Sequence, residues 1–253
     1  MSFFVAFRKE WLELSRTYRL LVVAIVFVFF GLTSPLLTKL TPEINKFIPN
    51  DSIVTIQVVR PPTVGDVIGQ YVKNMAPFGI LLAILLTMGT VAQEKEKGTA
   101  AMVLVKPLPR GAFLGAKFTA LAALFAVSLA AAGIACYYYT LLLFETMNIL
   151  NWLALNVLLF VYILVYVAIT LFCSTLTKSQ VVAGGTAVGA LILLGLIGLV
   201  PTLGKYLPGE LVTWGTRLMQ GDTSTSWTAV GISLSLIVVS LLAAWLVFKN
   251  QEL

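Results

Sequence analysis

The chain has 253 residues, of which 59% are hydrophobic and only 11% charged, and its mean hydropathy is +0.96. A soluble domain carries roughly 25% charged residues, so a soluble reading would leave most of these apolar side chains with no core to enter. The composition is that of an integral membrane protein, and the net charge of +6, clustered beside the apolar runs, fits loops at an anionic membrane face rather than a nucleic-acid partner.

Cys136 and Cys173 both lie within apolar runs and read as small core residues, not as a disulfide or a metal pair. There is no histidine, which removes the commonest ligand and general base. No cleavable signal is evident, because 19 mostly amphipathic residues precede the first apolar run. The first span is therefore expected to be retained.

Residues 3–18 place Phe4, Phe7, Trp11, Leu14 and Tyr18 along one helical face, with Arg8, Lys9, Glu13 and Arg16 largely on the other. Aromatic against basic is the pattern of a helix lying in the membrane interface. A soluble helix packed on a partner is the other reading. Six stretches without a charge follow: 20–38, 74–93, 118–144, 146–177, 179–204 and 223–248. Each holds the roughly 20 residues that a crossing needs. A single mid-membrane Lys or Arg costs on the order of 2.5–3.5 kcal/mol, so their absence points to six transmembrane helices in one domain, 1–253.

The connections alternate in charge. Arg8, Lys9, Arg16, Arg19, Lys95, Lys97, Lys106, Arg110, Lys117, Lys178 and Lys249 fall on one face, 11 in all, against six on the other. Both termini are thereby expected on the cytoplasmic side. On the opposite face, Ile53–Val59 reads as extended. Thr63 with Asp66 resembles a capping box that opens a helix over 64–74. Leu207, Leu211, Trp214 and Leu218 predict a short amphipathic helix, either dipping into the outer leaflet or lying on the surface. In the fifth span Gly185 and Gly189 form a small-xxx-small pair, suited to close helix approach within the chain or between subunits.

Catalytic constellations are missing. Gly184–Gly189 lacks the Lys-Ser/Thr of a phosphate-binding loop, and neither HExxH nor the GxSxG elbow occurs. Span hydroxyls such as Ser174, Thr175, Ser233 and Ser235 are read as helix-to-helix hydrogen-bond groups. No Asp, Glu or His stands inside a span to couple an ion gradient, and Glu145 falls between two spans. Any path through the protein would draw on Tyr137–Tyr139, Thr87, Thr90, Asn156 and Thr170, which leans toward a hydrophobic or amphipathic substrate. Energy for uphill movement would come from another subunit.

The densest charge lies in Gln93–Lys117, which holds five of the 17 Lys and Arg residues between two apolar runs. Thr99 can cap a short helix through Val105, Lys106-Pro107 stops it, and Pro109-Arg110 opens the next. A short helix between charged flanks is a lever on which something outside the membrane can push. Here Glu94-Lys-Glu96-Lys-Gly98-Thr99, followed by Leu104, Pro107, Arg110 and Lys117, resembles the E-x-E-x-G-T…P…R…K segment of type-2 ABC transporter permeases. Lys9-Glu10-Trp11 is similar to their elbow helix, and the ending Phe248-Lys-Asn-Gln-Glu252-Leu is similar too.

The resemblance implies an all-α membrane subunit of an ATP-driven exporter with an interfacial elbow helix and a short cytoplasmic coupling helix. It implies no nucleotide site here, ATP and Mg being held by a cytoplasmic ABC ATPase, two subunits per complex. A second permease copy or paralogue would complete the pair in the plasma membrane. The docking group would be Glu94, Glu96, Gly98, Thr99, Ala100, Met102, Val103, Pro107 and Arg110, with Phe4, Phe7, Trp11 and Leu14 forming the elbow face. A competing function is a non-transporting anchor or sensor that binds a cytoplasmic regulator through the same loop.

Overall fold

The structure is a computed structural model that describes residues 3–45, 61–96, 109–144, 146–222 and 224–250. Its elements are α1 (Phe3–Arg16), α2 (Arg19–Asn45), α3 (Val64–Thr87), α4 (Gly89–Glu96), α5 (Arg110–Leu143), α6 (Ile149–Leu176), α7 (Gln180–Gly198), α8 (Pro201–Gly204), α9 (Gly209–Met219) and α10 (Trp227–Lys249). Among the described residues, six helical segments are long and apolar enough to cross a membrane: α2, α3 with α4, α5, α6, α7 and α10. The segment expected to be extended, 53–59, and Glu145 lie outside the described residues.

Helix α6 is the centre of the bundle. It packs against α3, α4, α5, α7, α9 and α10, and 61% of its most apolar window is buried, against 17% for α7 and 22% for α10. It buries more of its surface in protein than α7 and α10, which turn Ile192, Leu193, Val238 and Val239 outward. Exposed leucine and valine at this density suit a helix whose solvent is lipid. Helix α2 packs along α5 so closely that a Cβ on Gly31 would sit 2.6 Å from the Ala132 carbonyl oxygen. Phe27 and Phe125 are fully buried in that seam, their ring centroids 6.1 Å apart.

Several polar groups in the core are partnered across helices. Tyr71 Oη donates to Asn156 Oδ1 at 2.7 Å, and its ring lies 4.9 Å from that of Trp152, whose Nε1 donates to the Gly133 carbonyl at 3.2 Å. Asn74 Nδ2 donates to Ser34 Oγ at 3.2 Å. Together these bonds fasten α2, α3, α5 and α6 where apolar contact alone would give little specificity; each contributes about 0.6–2 kcal/mol in a membrane.

Several boundaries differ from the sequence expectation. The helix after Thr63 runs unbroken through Thr87, and Asp66 Oδ2 accepts from the Thr63 amide at 2.9 Å and its hydroxyl at 2.8 Å. The second crossing, expected over 74–93, runs over 64–96 as two helices that meet at Met88. The fifth crossing ends at Gly198, and residues 201–204 form the separate turn α8 because Pro201 lacks the amide to continue the ladder. Helix α9 packs one face on the fourth crossing: Leu211 and Trp214 are buried against Leu158 of α6. Gly215 lies over the Leu155 backbone, where a Cβ would stand 3.3 Å from its Cα. Span hydroxyls behave unequally. Ser174 bonds across to the second crossing, while the Thr175 and Ser235 hydroxyls donate to the Phe172 and Gly231 carbonyls of their own helices.

Candidate functional site

Helix α4 ends in the charged stretch and α5 begins in it, so the connection between them starts and finishes at one end of the bundle. Gly98, Thr99, Ala100, Met102, Val103 and Pro107, with the short helix expected over 99–105, lie outside the described residues. The residues that bracket them are placed.

Lys117 was expected in the connection but lies two turns inside α5, with 3% of its side chain exposed. Its Nζ is 2.7 Å from Glu94 Oε1 on α4 and 3.2 Å from Glu10 Oε2 on α1. The ammonium also stands 4.9 Å from the Phe113 ring centroid. A buried ammonium without partners would be prohibitively costly, and two carboxylates supply them. Two carboxylates on one cation leave an excess negative charge, which Lys9 offsets at 3.2 Å from Glu10 Oε1 and 3.8 Å from Glu13. Burial alone would lower the Lys9 pKa, but Glu10, Glu94 and Glu13 together outweigh it and raise it above the ordinary lysine value.

The cluster joins α1, α4 and α5 through charge-assisted hydrogen bonds. Helix α1 therefore contributes an acid, Glu10, to Lys117, and Glu94 takes its basic partner from the charged stretch itself. Glu96 is exposed at the last position of α4. Sequence reading passed over Glu10, although it falls on the same helical face as Phe7 and Leu14, and a lone acid on a buried stripe is a readable sign. That stripe turns inward: Leu14 is buried and Phe7 and Trp11 pack on the core with rings 6.4 Å apart, while Phe4 stays 73% exposed. Tyr18 is not on α1 at all. It takes φ +58 in the turn that swings the chain into α2.

A second set of contacts gathers beside the first. Arg110, the first residue of α5, donates from Nη1 to the Phe248 carbonyl at 2.7 Å and the Lys249 carbonyl at 2.6 Å. These are orphan acceptors at the C-terminus of α10, where a cation is favoured. Phe248 is buried and stacks on Phe113 at 5.7 Å, with Lys95 Nζ 5.6 Å and Arg110 Cζ 5.9 Å from its ring. Lys95 Nζ also donates to the Thr175 carbonyl at the end of α6. Thus α1, α4, α5, α6 and α10 are tied together at the end from which residues 97–108 depart.

The polar residues considered for a path are scattered. Tyr138 is exposed on α5, Asn156 is engaged by Tyr71, and Thr87 and Thr170 are buried. Gly185 and Gly189 have no protein atom within 4 Å of a Cβ built on either, so neither serves close approach within the chain. The site holds ion pairs and carbonyl caps, an arrangement suited to holding elements at fixed angles rather than to making or breaking bonds.

A family model described as "ABC-2 family transporter protein" matches residues 5–253. The chain is also similar to an uncharacterized transmembrane protein, YxlG, of Bacillus subtilis (strain 168), with 24% identity over 249 residues, 97% of this chain and 95% of that protein.

Proposed function

The chain belongs to the ABC-2 family of transporter proteins, and from that premise we propose that it is the permease subunit of an exporter driven by a separate ABC ATPase. Two cytoplasmic ATPase subunits would hold the ATP and Mg, and a second permease copy or paralogue would complete the membrane unit. The observation that carries this reading is Lys117, held between Glu94 of α4 and Glu10 of α1 on either side of the connection 97–108. A push on that connection meets a braced frame and not two loose helix ends.

In this reading residues 99–105 form the coupling helix. Gly98, Thr99, Ala100, Met102 and Val103 present its docking surface, and Pro107 and Arg110 set the return into α5. Glu94 fixes the angle of α4, while exposed Glu96 faces the ATPase. Helix α1, with Phe4 outermost, lies along the cytoplasmic surface of the plasma membrane, and both termini are cytoplasmic. Gly185 and Gly189, open on α7, offer a surface on which a second permease subunit can approach.

The test is purification from native membranes with partners attached, followed by ATP hydrolysis of the complex. The double variant Glu94→Ala/Glu96→Ala should insert normally and lose most of the substrate-stimulated hydrolysis. A charged residue at Val103 should weaken recovery of the ATPase. Full stimulation in the first variant, or unchanged recovery in the second, would remove the assignment.

A further inference from the structure

The second crossing is two helices meeting at Met88, and a side chain from the fourth crossing bonds to their joint. In an unbroken helix the carbonyls of Thr87 and Met88 face the amides of Val91 and Ala92. Here hydroxyl groups enter the ladder at that point. Ser174 Oγ, fully buried on α6, accepts from the Val91 amide at 3.2 Å and from the Ala92 amide at 3.0 Å, and it donates to the Met88 carbonyl at 2.8 Å. Thr90 Oγ1 donates to the Thr87 carbonyl at 2.7 Å. A side chain inserted into the i to i−4 ladder is a recognised cause of a helix break.

Met88, between the two helices with φ −56 and ψ −34, has no side-chain oxygen to offer the amides that follow, so Ser174 acts as a cap delivered from another span. It comes from the same turn of α6 that offers the Thr175 carbonyl to Lys95. The break is also enclosed from α7. A Cβ on Gly184 would meet Met88 Sδ at 2.8 Å, and one on Gly89 would meet Gln180 Cδ at 3.1 Å.

We propose that Ser174 is a positioning residue that pins α4 to the C-terminal turn of α6, so that movement of the charged connection is passed into the central helix instead of the outer part of the second crossing. The reasoning is one of relative connection. Toward α3 the Met88 amide still donates to the Ile84 carbonyl at 2.9 Å and Thr90 Oγ1 to the Thr87 carbonyl at 2.7 Å; toward α6 there are three hydrogen bonds through one buried hydroxyl and a fourth from Lys95. A unit whose ladder is thinned on one side and more heavily bonded on the other moves preferentially with the side that holds more of its bonds. The proposal deepens the permease reading and rests on it for its functional half.

The experiment compares the full chain, Ser174→Ala and Ser174→Thr in lipid nanodiscs by amide hydrogen exchange resolved to the 88–96 peptide. Ser174→Ala should speed exchange there by about tenfold while peptides within α5 and α3 keep their rates, and Ser174→Thr, which keeps the hydroxyl, should restore most of the protection. Unchanged exchange in Ser174→Ala, or an equal rise over the whole bundle, would overturn the pin. In the complex purified with its native ATPase, Ser174→Ala should retain partner recovery and basal hydrolysis but lose at least tenfold of the substrate stimulation, with rescue by Ser174→Thr. Full stimulation despite local opening would overturn the transmission claim. If the wild-type chain recovers no ATPase, the permease reading fails, while the exchange comparison still decides whether Ser174 holds α4.

Discussion

Lys117 is the residue on which the bracketing frame depends, and its energetics are asymmetric. With Glu94 Oε1 at 2.7 Å and Glu10 Oε2 at 3.2 Å, removing the cation leaves two carboxylates facing each other in a buried place. Lys117→Met should cost about 3–5 kcal/mol, the range seen when one partner of a buried ion pair is deleted. The triple variant Lys117→Met/Glu94→Gln/Glu10→Gln should recover most of that loss, because no charge is left unpaired. Thermal inactivation temperature in detergent measures both; a triple variant no better than the single one would mean that packing of the lysine stem, not charge, sets the cost. Glu94 was legible from spacing, since it ends an apolar run and opens the charged stretch. Its partnership was not, because Lys117 meets Glu10 across 107 residues of sequence and only the packing of α1 on α5 brings them together.

At the scale of the element, glycine contacts separate helices that must stay close from helices left open. Gly31 faces the Ala132 backbone carbonyl at 2.6 Å from an added Cβ, and backbone cannot step aside. Gly79 faces Ile163 Cδ1 at 2.7 Å, and the end of an isoleucine can turn. Gly31→Ala should therefore cost about 1–3 kcal/mol and Gly79→Ala distinctly less, read as the difference in inactivation temperature. Equal losses would show that the α2–α5 seam is as yielding as the α3–α6 seam. Gly185→Leu and Gly189→Leu should fold normally, since nothing lies within 4 Å, and should reduce the recovery of paired permease subunits on native gels if α7 is the joining face. Unchanged pairing would place the joint elsewhere. The existence of these helices was legible because a span without charge is an unambiguous pattern. The break at Met88 was not, because no local sequence cause stands there: Pro77 lies inside the unbroken part of α3, and the group that interrupts the ladder belongs to α6. For the same reason the burial of α9 could not be read from its own amphipathic stripe, which is equally suited to lipid and to the flank of α6.

For the whole molecule, two arguments support the proposed cytoplasmic placement of the basic end. The charge count assigns 11 basic residues to one face and six to the other. The fold, which contains no membrane, brings the same residues to one end through contact: Lys9 and Lys117 at Glu10, Lys95 at the end of α6, and Arg110 at the end of α10. A bundle with its basic groups fastened together at one end is biased toward keeping that end cytoplasmic, because translocating the cluster would carry the largest concentration of positive charge across the bilayer. Both native cysteines are buried, so a cysteine introduced at the surface can be read against a low background. Lys178→Cys, in the exposed turn after α6, should react with an impermeant maleimide only after the cells are opened, and Lys97→Cys should behave in the same way. Lys205→Cys, exposed between α8 and α9, should react in intact cells. The reverse pattern would put the connection 97–108 beyond the reach of any cytoplasmic ATPase, and the lever would then have nothing to push it.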